Sequence, residues 1–381
     1  MLAPLETAIT TEWRPLAGLA GIAAEWRALA RRAAEPNIFY EPAFALAAAP
    51  VLGPDAGAVL VRSLEPRRLI GLFPCRVERR RYGIRLPLLA GWTHPYAPLG
   101  TPLVERDAVP LAVSAFLDHV ADDDALPKLL FMSCLVEDGA VATALDEALA
   151  QRGGRRVDVG RHQRALLAPR GERACYVETV LGDKRHKKLE RQRRRLAKDG
   201  AVAFELVTSA ADVSAALADF FALEASGWKG AAGTAAAQTP AIRQFMETAV
   251  AGLAAQRQAS VACLVHAGRV IAADIVLRAA EGAWIWKVAY DEAFAQASPG
   301  VLLAMDTTRA LLADPTLAWC DSCAGADHPM IDRLWGERRT IVDRLIALEP
   351  GLGFAAARRI EPMRRRMIAT ARRARDLVRR G

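Results

Sequence analysis

The stretch AWIWKVAYDEAFAQASPGVLL, residues 283–303, reads as an apolar strand ending in Tyr290-Asp291-Glu292, a short connection, and a helix that opens at Ser298-Pro299-Gly300. Proline is tolerated in a first helical turn because its missing N–H has no intrahelical partner there. Two apolar runs precede it, Ser260–His266 and Val270–Arg278, with turns at Ala267-Gly268-Arg269 and Ala280-Glu281-Gly282. After the helix Gly300–Leu312, the pattern predicts a strand Leu317–Ser322, a helix His328–Arg338 and a strand Thr340–Ala347. Upstream lie a basic helix Lys184–Lys198, a strand Val202–Val207, and helices Ala211–Ser226 and Pro240–Ala255.

The first half repeats this order. A helix Ile22–Ala34 leads to strands Gly57–Arg62 and Leu69–Glu78 and one near Leu86, then a helix Val109–Ala121. The strand Lys128–Cys134, the helix Gly139–Gln151 and the strand Arg164–Ala168 follow. Each half thus reads as three strands, a helix, a strand, a helix and a strand. The expectation is a mixed-sheet α/β protein of two tandem units, 1–169 and 170–350, with a tail at 351–381.

Of the 381 residues, 52% are hydrophobic and 25% charged, enough for each unit to bury a core. The net charge is +8. Arg358–Gly381, with ten arginines against Glu361 and Asp376, contributes +8, and Asp183–Asp199 contributes +6, so the rest carries −6. Two basic patches on an acidic body suit phosphates or an anionic membrane face, with nucleic acid the less favoured partner. In the tail, Met363, Met367, Ala371, Ala374, Leu377 and Val378 share one helix face and arginines fill the other, the pattern of an interfacial helix. No apolar run reaches the ~18 residues of a membrane span, the first residues do not read as a signal peptide, and six scattered cysteines suit a reduced compartment. The expected location is the cytoplasm, peripheral on the inner face of the membrane.

Three groups of residues carry the closest likeness to a known family. They are Leu223-Glu224-Ala225-Ser226-Gly227-Trp228-Lys229-Gly230, the 287–303 segment, and Asp321-Ser322-Cys323-Ala324 with His328-Pro329-Met330-Ile331 and Leu334-Trp335-Gly336-Glu337-Arg338. As a set they resemble the CelD-like (BioF2-like) acetyltransferases of the GNAT superfamily, relatives of the Fem-type peptidyltransferases. The resemblance implies two tandem GNAT-like acyltransferase domains and an acyl-CoA donor or other acyl thioester, with no metal. It also implies a notch between the fourth and fifth strands, with the following helix N-terminus facing the donor pyrophosphate. The acceptor would be a small-molecule or lipid amine, such as a sphingoid base or a cell-envelope amino sugar. The usual phosphate loop departs here to Gln296-Ala297-Ser298-Pro299-Gly300, which removes one N–H donor. A Fem-type aminoacyl-tRNA-dependent transferase and a non-catalytic membrane or nucleic-acid binder are the alternatives.

Asp321, His328, Tyr290 and Asp291 are the expected catalytic groups, since amine attack on a thioester needs the neutral amine and a proton for the leaving thiolate. Ser298, Gly300, Val301 and Lys287 are expected at the donor. A lysine inside an apolar strand is costly unless paired, so Lys287 reads either as an ion-pair partner of an acid such as Asp321 or as a phosphate ligand. Trp228, Lys229, Trp335 and Arg338 are expected at the acceptor. His94 and Tyr96 join them from the loop Trp92–Pro102, too aromatic and Pro-rich for an idle connection. Cys320-Asp321-Ser322-Cys323 with His328 lacks the second ligand pair of a structural zinc site, and no Gly-x-Ser-x-Gly elbow is present. Direct attack by the amine is therefore expected.

Overall fold

The computed structural model describes residues 8–169 and 171–378, apart from the side chains of Lys229, Ala369 and residues 372–378. The chain divides into two compact units, Met1–Asn37 with Gly53–His162 and Thr340–Gly381, and Ile38–Leu52 with Gln163–Arg339. The expected linear division differs at three places, the first being that unit 2 takes up the chain at Gln163 rather than at residue 170. Helix α2 (Pro42–Leu52) of the first half belongs to unit 2, and the last strand and tail of the second half belong to unit 1.

Unit 1 holds β1 (Ile9–Pro15), α1 (Ala23–Arg32), β2 (Gly57–Leu64), β3 (Arg67–Glu78), β4 (Leu88–Gly91), β5 (Leu103–Val104), α3 (Val109–Asp122), β6 (Leu129–Val136) and α4 (Ala140–Gln151). Strand β7 (Arg155–Leu167) begins in it and continues into unit 2. The sheet of unit 1 runs β1-β2-β3-β4-β6, antiparallel except for the parallel pair β4/β6, and is extended by the C-terminal strand, residues 340–347, against β6. Apolar residues of β2, β3 and β6 pack on α3 and α4, with Phe73 stacked on Phe116 at 4.2 Å.

Unit 2 holds α5 (Tyr176–Leu196), β8 (Val202–Val207), α6 (Ala210–Ser226), the single turn α7 (Trp228–Ala231), α8 (Pro240–Ala254), β9 (Ala259–His266), β10 (Arg269–Ala279), β11 (Gly282–Tyr290), α9 (Pro299–Ala313) and β12 (Trp319–Asp321). Its sheet runs β8-β9-β10-β11-β12 and ends on the last residues of β7, with only β11/β12 parallel. Phe44 of α2 meets Phe245 and Trp286 edge-on at 5.3 Å each, which explains why this Ala-rich helix belongs here.

The expected helix His328–Arg338 does not form. Asp327 adopts a left-handed φ of 57°, only Ile331–Arg333 makes a 3₁₀ turn, and β13 (Glu337–Ala347) begins at once. Trp335 is fully buried and its Nε1 donates to Thr308 Oγ1 at 2.9 Å, so tertiary burial overrides local propensity. Helix α10 (Leu352–Val378) ends the chain, with Phe354 and Ala357 packed on Leu88, Phe131 and Leu345 of unit 1.

Candidate active site

Strands β11 and β12 pair only at Gly282–Trp284 against Trp319–Asp321. Beyond that point they part, and the β10/β11 register shifts so that Trp286 has no partner residue, a β-bulge where the strands diverge. A bulge at this place bends β11 and re-aims its side chains. The parting leaves a cavity of about 180 Å³ lined by Asp274, Ile285–Val288, Ala304, Ser322–Ala324, His328, Met330 and Ile331.

Asp274 is the unusual group in this wall. It lies in mid-β10, opposite Val288, and is 1% exposed. Its Oδ2 accepts from Thr307 Oγ1 at 2.9 Å, while Oδ1 has no hydrogen-bond partner among the described residues. Burial pushes its carboxyl up to about 7, against the smaller opposing pull of the Thr307 hydroxyl. A carboxylate held this way is a base poised near neutrality. The sequence signal was available: an acid inside Ile271-Ala272-Ala273-Asp274-Ile275-Val276 is as costly as Lys287 in its own strand.

Asp321 turns out to be an anchor. Its Oδ1 accepts from Arg164 Nε at 2.9 Å and from the Cys323 N–H at 2.9 Å, while Oδ2 takes Arg339 at 3.2 Å. With both oxygens held by two guanidinium groups, it fixes the end of β12. The partners of Asp321 are thus arginines, and Lys287 lines the cavity instead. His328 also lines the cavity, and its Nδ1 accepts from the Ile331 N–H at 3.4 Å. With Nδ1 so engaged, Nε2 is the ring nitrogen left to meet a ligand. Burial pushes the Cys323 thiol up, with Asp321 adding to the effect, so this cysteine stays protonated and is no nucleophile.

Ser298 adopts a left-handed φ of 55° and starts α9. The N–H groups of Val301 and Leu302 donate to its carbonyl at 2.9 and 3.1 Å, and Pro299 has none, which leaves the Gly300 N–H as the first-turn donor for an anion. Val301 thus contributes no free donor. A Cβ at Gly300 would meet the Tyr290 ring at 3.3 Å, so the mouth admits little more than backbone. Gln192 of α5 donates to the Gln296 carbonyl at 2.8 Å and reaches Ser298 Oγ at 3.3 Å, which holds this turn beside Lys188, Arg191 and Arg195, all exposed.

A second, smaller hollow of about 30 Å³ is lined by Leu223, Glu224, Gly227, Trp228, Val288, Ala289, Tyr290 and Glu292. Val288 borders both hollows. Trp228 is 55% and Tyr290 37% exposed, and Glu292 holds the Trp228 N–H at 2.7 Å. Two carboxylates and two rings make a mouth suited to an ammonium group.

The remaining expected residues stand as follows in the fold. Asp291 caps the turn after β11 through the Ala293 N–H and pairs with Arg269. Trp335 is core, and Arg338 donates to the carbonyls of Asp332, Trp335 and Glu337. The side chain of Lys229 lies outside the described residues. His94 and Tyr96 line neither hollow; His94 leans on Trp92 at 5.0 Å and accepts from the Tyr96 N–H at 3.3 Å.

Residues 183–328 match the acetyltransferase (GNAT) domain family. No curated protein matches the chain. Among solved structures, FemX superposes with a TM-score of 0.57 at 8% identity, over 89% of this chain and 98% of that one. The C-terminal domain of a putative lysylphosphatidylglycerol synthetase from Agrobacterium fabrum gives 0.53 at 12% identity, over 88% and 95%. A conserved protein of unknown function from Bacteroides thetaiotaomicron gives 0.52 at 11%, over 89% and 99%. At these identities the likeness is one of fold. The family match and the parted β11/β12 pair agree on a GNAT-type acetyltransferase domain over residues 183–328, which makes the protein an acyltransferase, while the likeness to FemX is one of fold.

Proposed function

We propose that this protein is an N-acyltransferase that moves a short acyl group from acyl-CoA to a primary amine by direct attack. The observation that carries this reading is the partnerless Oδ1 of Asp274, buried in the wall of a cavity that opens where β11 and β12 part. The donor supplies a thioester carbonyl. The open edge of β11 beyond Trp284 and the Gly300 N–H are the groups that would hold its arm and phosphates, with Lys188, Arg191 and Arg195 alongside. A cavity of about 150 Å³ accepts a benzene-sized group, so 180 Å³ suits a short acyl chain and its thioester.

The ammonium acceptor enters between Trp228 and Tyr290, beside Glu224 and Glu292. Asp274 takes one proton and leaves the amine neutral. As the nitrogen–carbon bond forms and the carbon–sulfur bond breaks, the second nitrogen proton passes to the leaving thiolate, which departs as the thiol, and His328 is placed to hydrogen-bond the sulfur as it leaves. The acceptor class that fits is a small or lipid-borne primary amine, including a sphingoid base or an amino sugar.

Thiol release from acetyl-CoA, measured against a panel of primary amines between pH 5 and 9, tests the reading. Turnover of the wild type should rise with pH through about 7, as the Asp274 carboxyl loses its proton. Asp274→Asn should lose on the order of 10²–10⁴-fold. An unchanged Asp274→Asn variant would overturn the assignment. Transfer from aminoacyl-tRNA without any from acyl-CoA would instead favour the Fem-type donor, for which the basic face of α5 is the supporting feature.

A further inference from the structure

Helix α10 is built the wrong way round for a helix that only covers a core. At 3.6 residues per turn, Phe354, Ala357, Glu361 and Arg365 form its inward face. Phe354 and Ala357 are buried among Leu88, Phe131 and Leu345, and Glu361, fully buried, pairs with Arg365 at 2.9 Å and Arg81 at 3.5 Å. Arg365 also reaches Asp343 at 2.8 Å. The inward face of the third and fourth turns is therefore an ion-pair network, while the methionines at that level sit outside. Leu352, Met363 and Met367 lie on the opposite face and are 90%, 64% and 68% exposed. Arg359 and Arg366 flank the methionines and are exposed, and the sequence continues the apolar line through Ala371, Ala374, Leu377 and Val378.

We propose that this outer face docks on an anionic lipid bilayer, with Met363 and Met367 entering the acyl boundary and the flanking arginines meeting lipid phosphates. Unbranched thioether side chains adapt to an irregular apolar phase, and arginine stems can lie along it while their heads stay at the phosphates. The alternatives fit the chemistry less well. A second copy of this helix would bring rows of arginine against each other, and a nucleic acid has no use for two methionines at the centre of its footprint. The proposal is independent of the acyl-transfer reading, because none of these residues lines either hollow.

Co-sedimentation of the full chain with phosphatidylglycerol-containing vesicles, and with pure phosphatidylcholine vesicles as the control, tests it. Truncation is the wrong tool, since losing the helix would strip Arg81 and Asp343 of their partners. The wild type should pellet with anionic vesicles at low salt, stay in solution with the zwitterionic ones, and lose most of its binding at high salt. Met363→Glu/Met367→Glu and Arg359→Glu/Arg366→Glu should each lower vesicle affinity at least about tenfold, ~1.4 kcal/mol. Both should leave thiol release with a water-soluble amine unchanged. A wild type that ignores anionic vesicles overturns the proposal. So does binding that the methionine pair does not affect, which would mark a purely ionic contact, or methionine-dependent self-association without vesicle binding, which would assign the face to a second copy.

Discussion

The two units share one sequence of elements, yet they treat the edge beside the parallel pair differently. In unit 1, β2-β3-β4, α3 and β6 correspond in order to β9-β10-β11, α9 and β12 of unit 2, and each set contains one parallel pair, β4/β6 and β11/β12. In unit 1 the loop after β4 turns back onto β6. The Gly100 N–H donates to the Cys134 carbonyl at 2.9 Å, Thr93 Oγ1 meets Ser133 Oγ at 2.7 Å, and Asn37 holds the Leu99 and Thr101 carbonyls at 3.2 and 2.8 Å. The chain thus satisfies the β6 edge with its own backbone. In unit 2 the edge of β11 beyond Trp284 is left to the cavity and to Asp274. An unmet backbone or carboxylate group costs stability, and a protein keeps one where a ligand will meet it. The same order of elements thus yields a sealed edge in unit 1 and a cavity in unit 2.

The sharpest way to break this contrast is to close the open notch. An indole at position 300 would start from a Cβ already 3.3 Å from Tyr290. Gly300→Trp should weaken acetyl-CoA binding by on the order of 10–100-fold, since overpacking costs about 1–3 kcal/mol and ~1.4 kcal/mol is tenfold. Calorimetry with a folded variant that binds as well as wild type would remove the donor from this mouth.

Loosening the filled side should read out as stability. A Cβ at Gly100 would fall 2.0 Å from the Ser133 carbonyl oxygen, closer than any real contact. Gly100→Ala should destabilise by about 1–3 kcal/mol, seen as a lower Tm, with acetyl-CoA affinity retained. An undiminished Tm would mean that the loop does not seal the edge of β6.

A smaller effect tests the cost of the reserved carboxylate. Because burial raises the folded-state value of Asp274 to about 7, the folded protein holds this proton more tightly than the unfolded chain does. That contribution to stability is full below the unfolded carboxyl value and is lost as pH rises through about 7. Replacing the acid removes the dependence. Asp274→Asn should gain on wild type as pH rises from 4 to 8, with a slope of up to ~1.4 kcal/mol per pH unit. A difference that stays flat with pH would show that Asp274 is not held protonated by burial.

The strands β8 to β11 and helices α6, α8 and α9 were legible because each has a single clear period and a Gly or Pro boundary. Helix α2 was not, since PAFALAAAPVL has no polar face to mark an amphipathic helix. Residues 328–338 misled for the opposite reason. Their helical spacing is real, but Trp335 is drawn into the core of unit 2 and Arg338 is spent on three carbonyls. Among the site residues, the strand-to-helix turn at Ser298–Gly300 and the cavity position of Lys287 and His328 followed from motif and order. Asp321, expected as a catalytic group, is held by Arg164 and Arg339, and Asp274 was not singled out, because a sequence shows that an acid is present in a strand but not which acid meets arginine.

What the sequence by itself determined is therefore the order of elements, the GNAT-like turn into α9, and the two basic patches. These follow from local periodicity, breakers and charge, which need no partner across the fold. Tertiary structure alone decided that β11 and β12 part after three residue pairs, and that Arg164 and Arg339 hold Asp321. It also decided that Asp274 keeps one oxygen unmet, and that Met363 and Met367 stand on the outer side of α10. Each of those depends on which distant side chain reaches a given atom first, and such competition is settled only when the elements have packed.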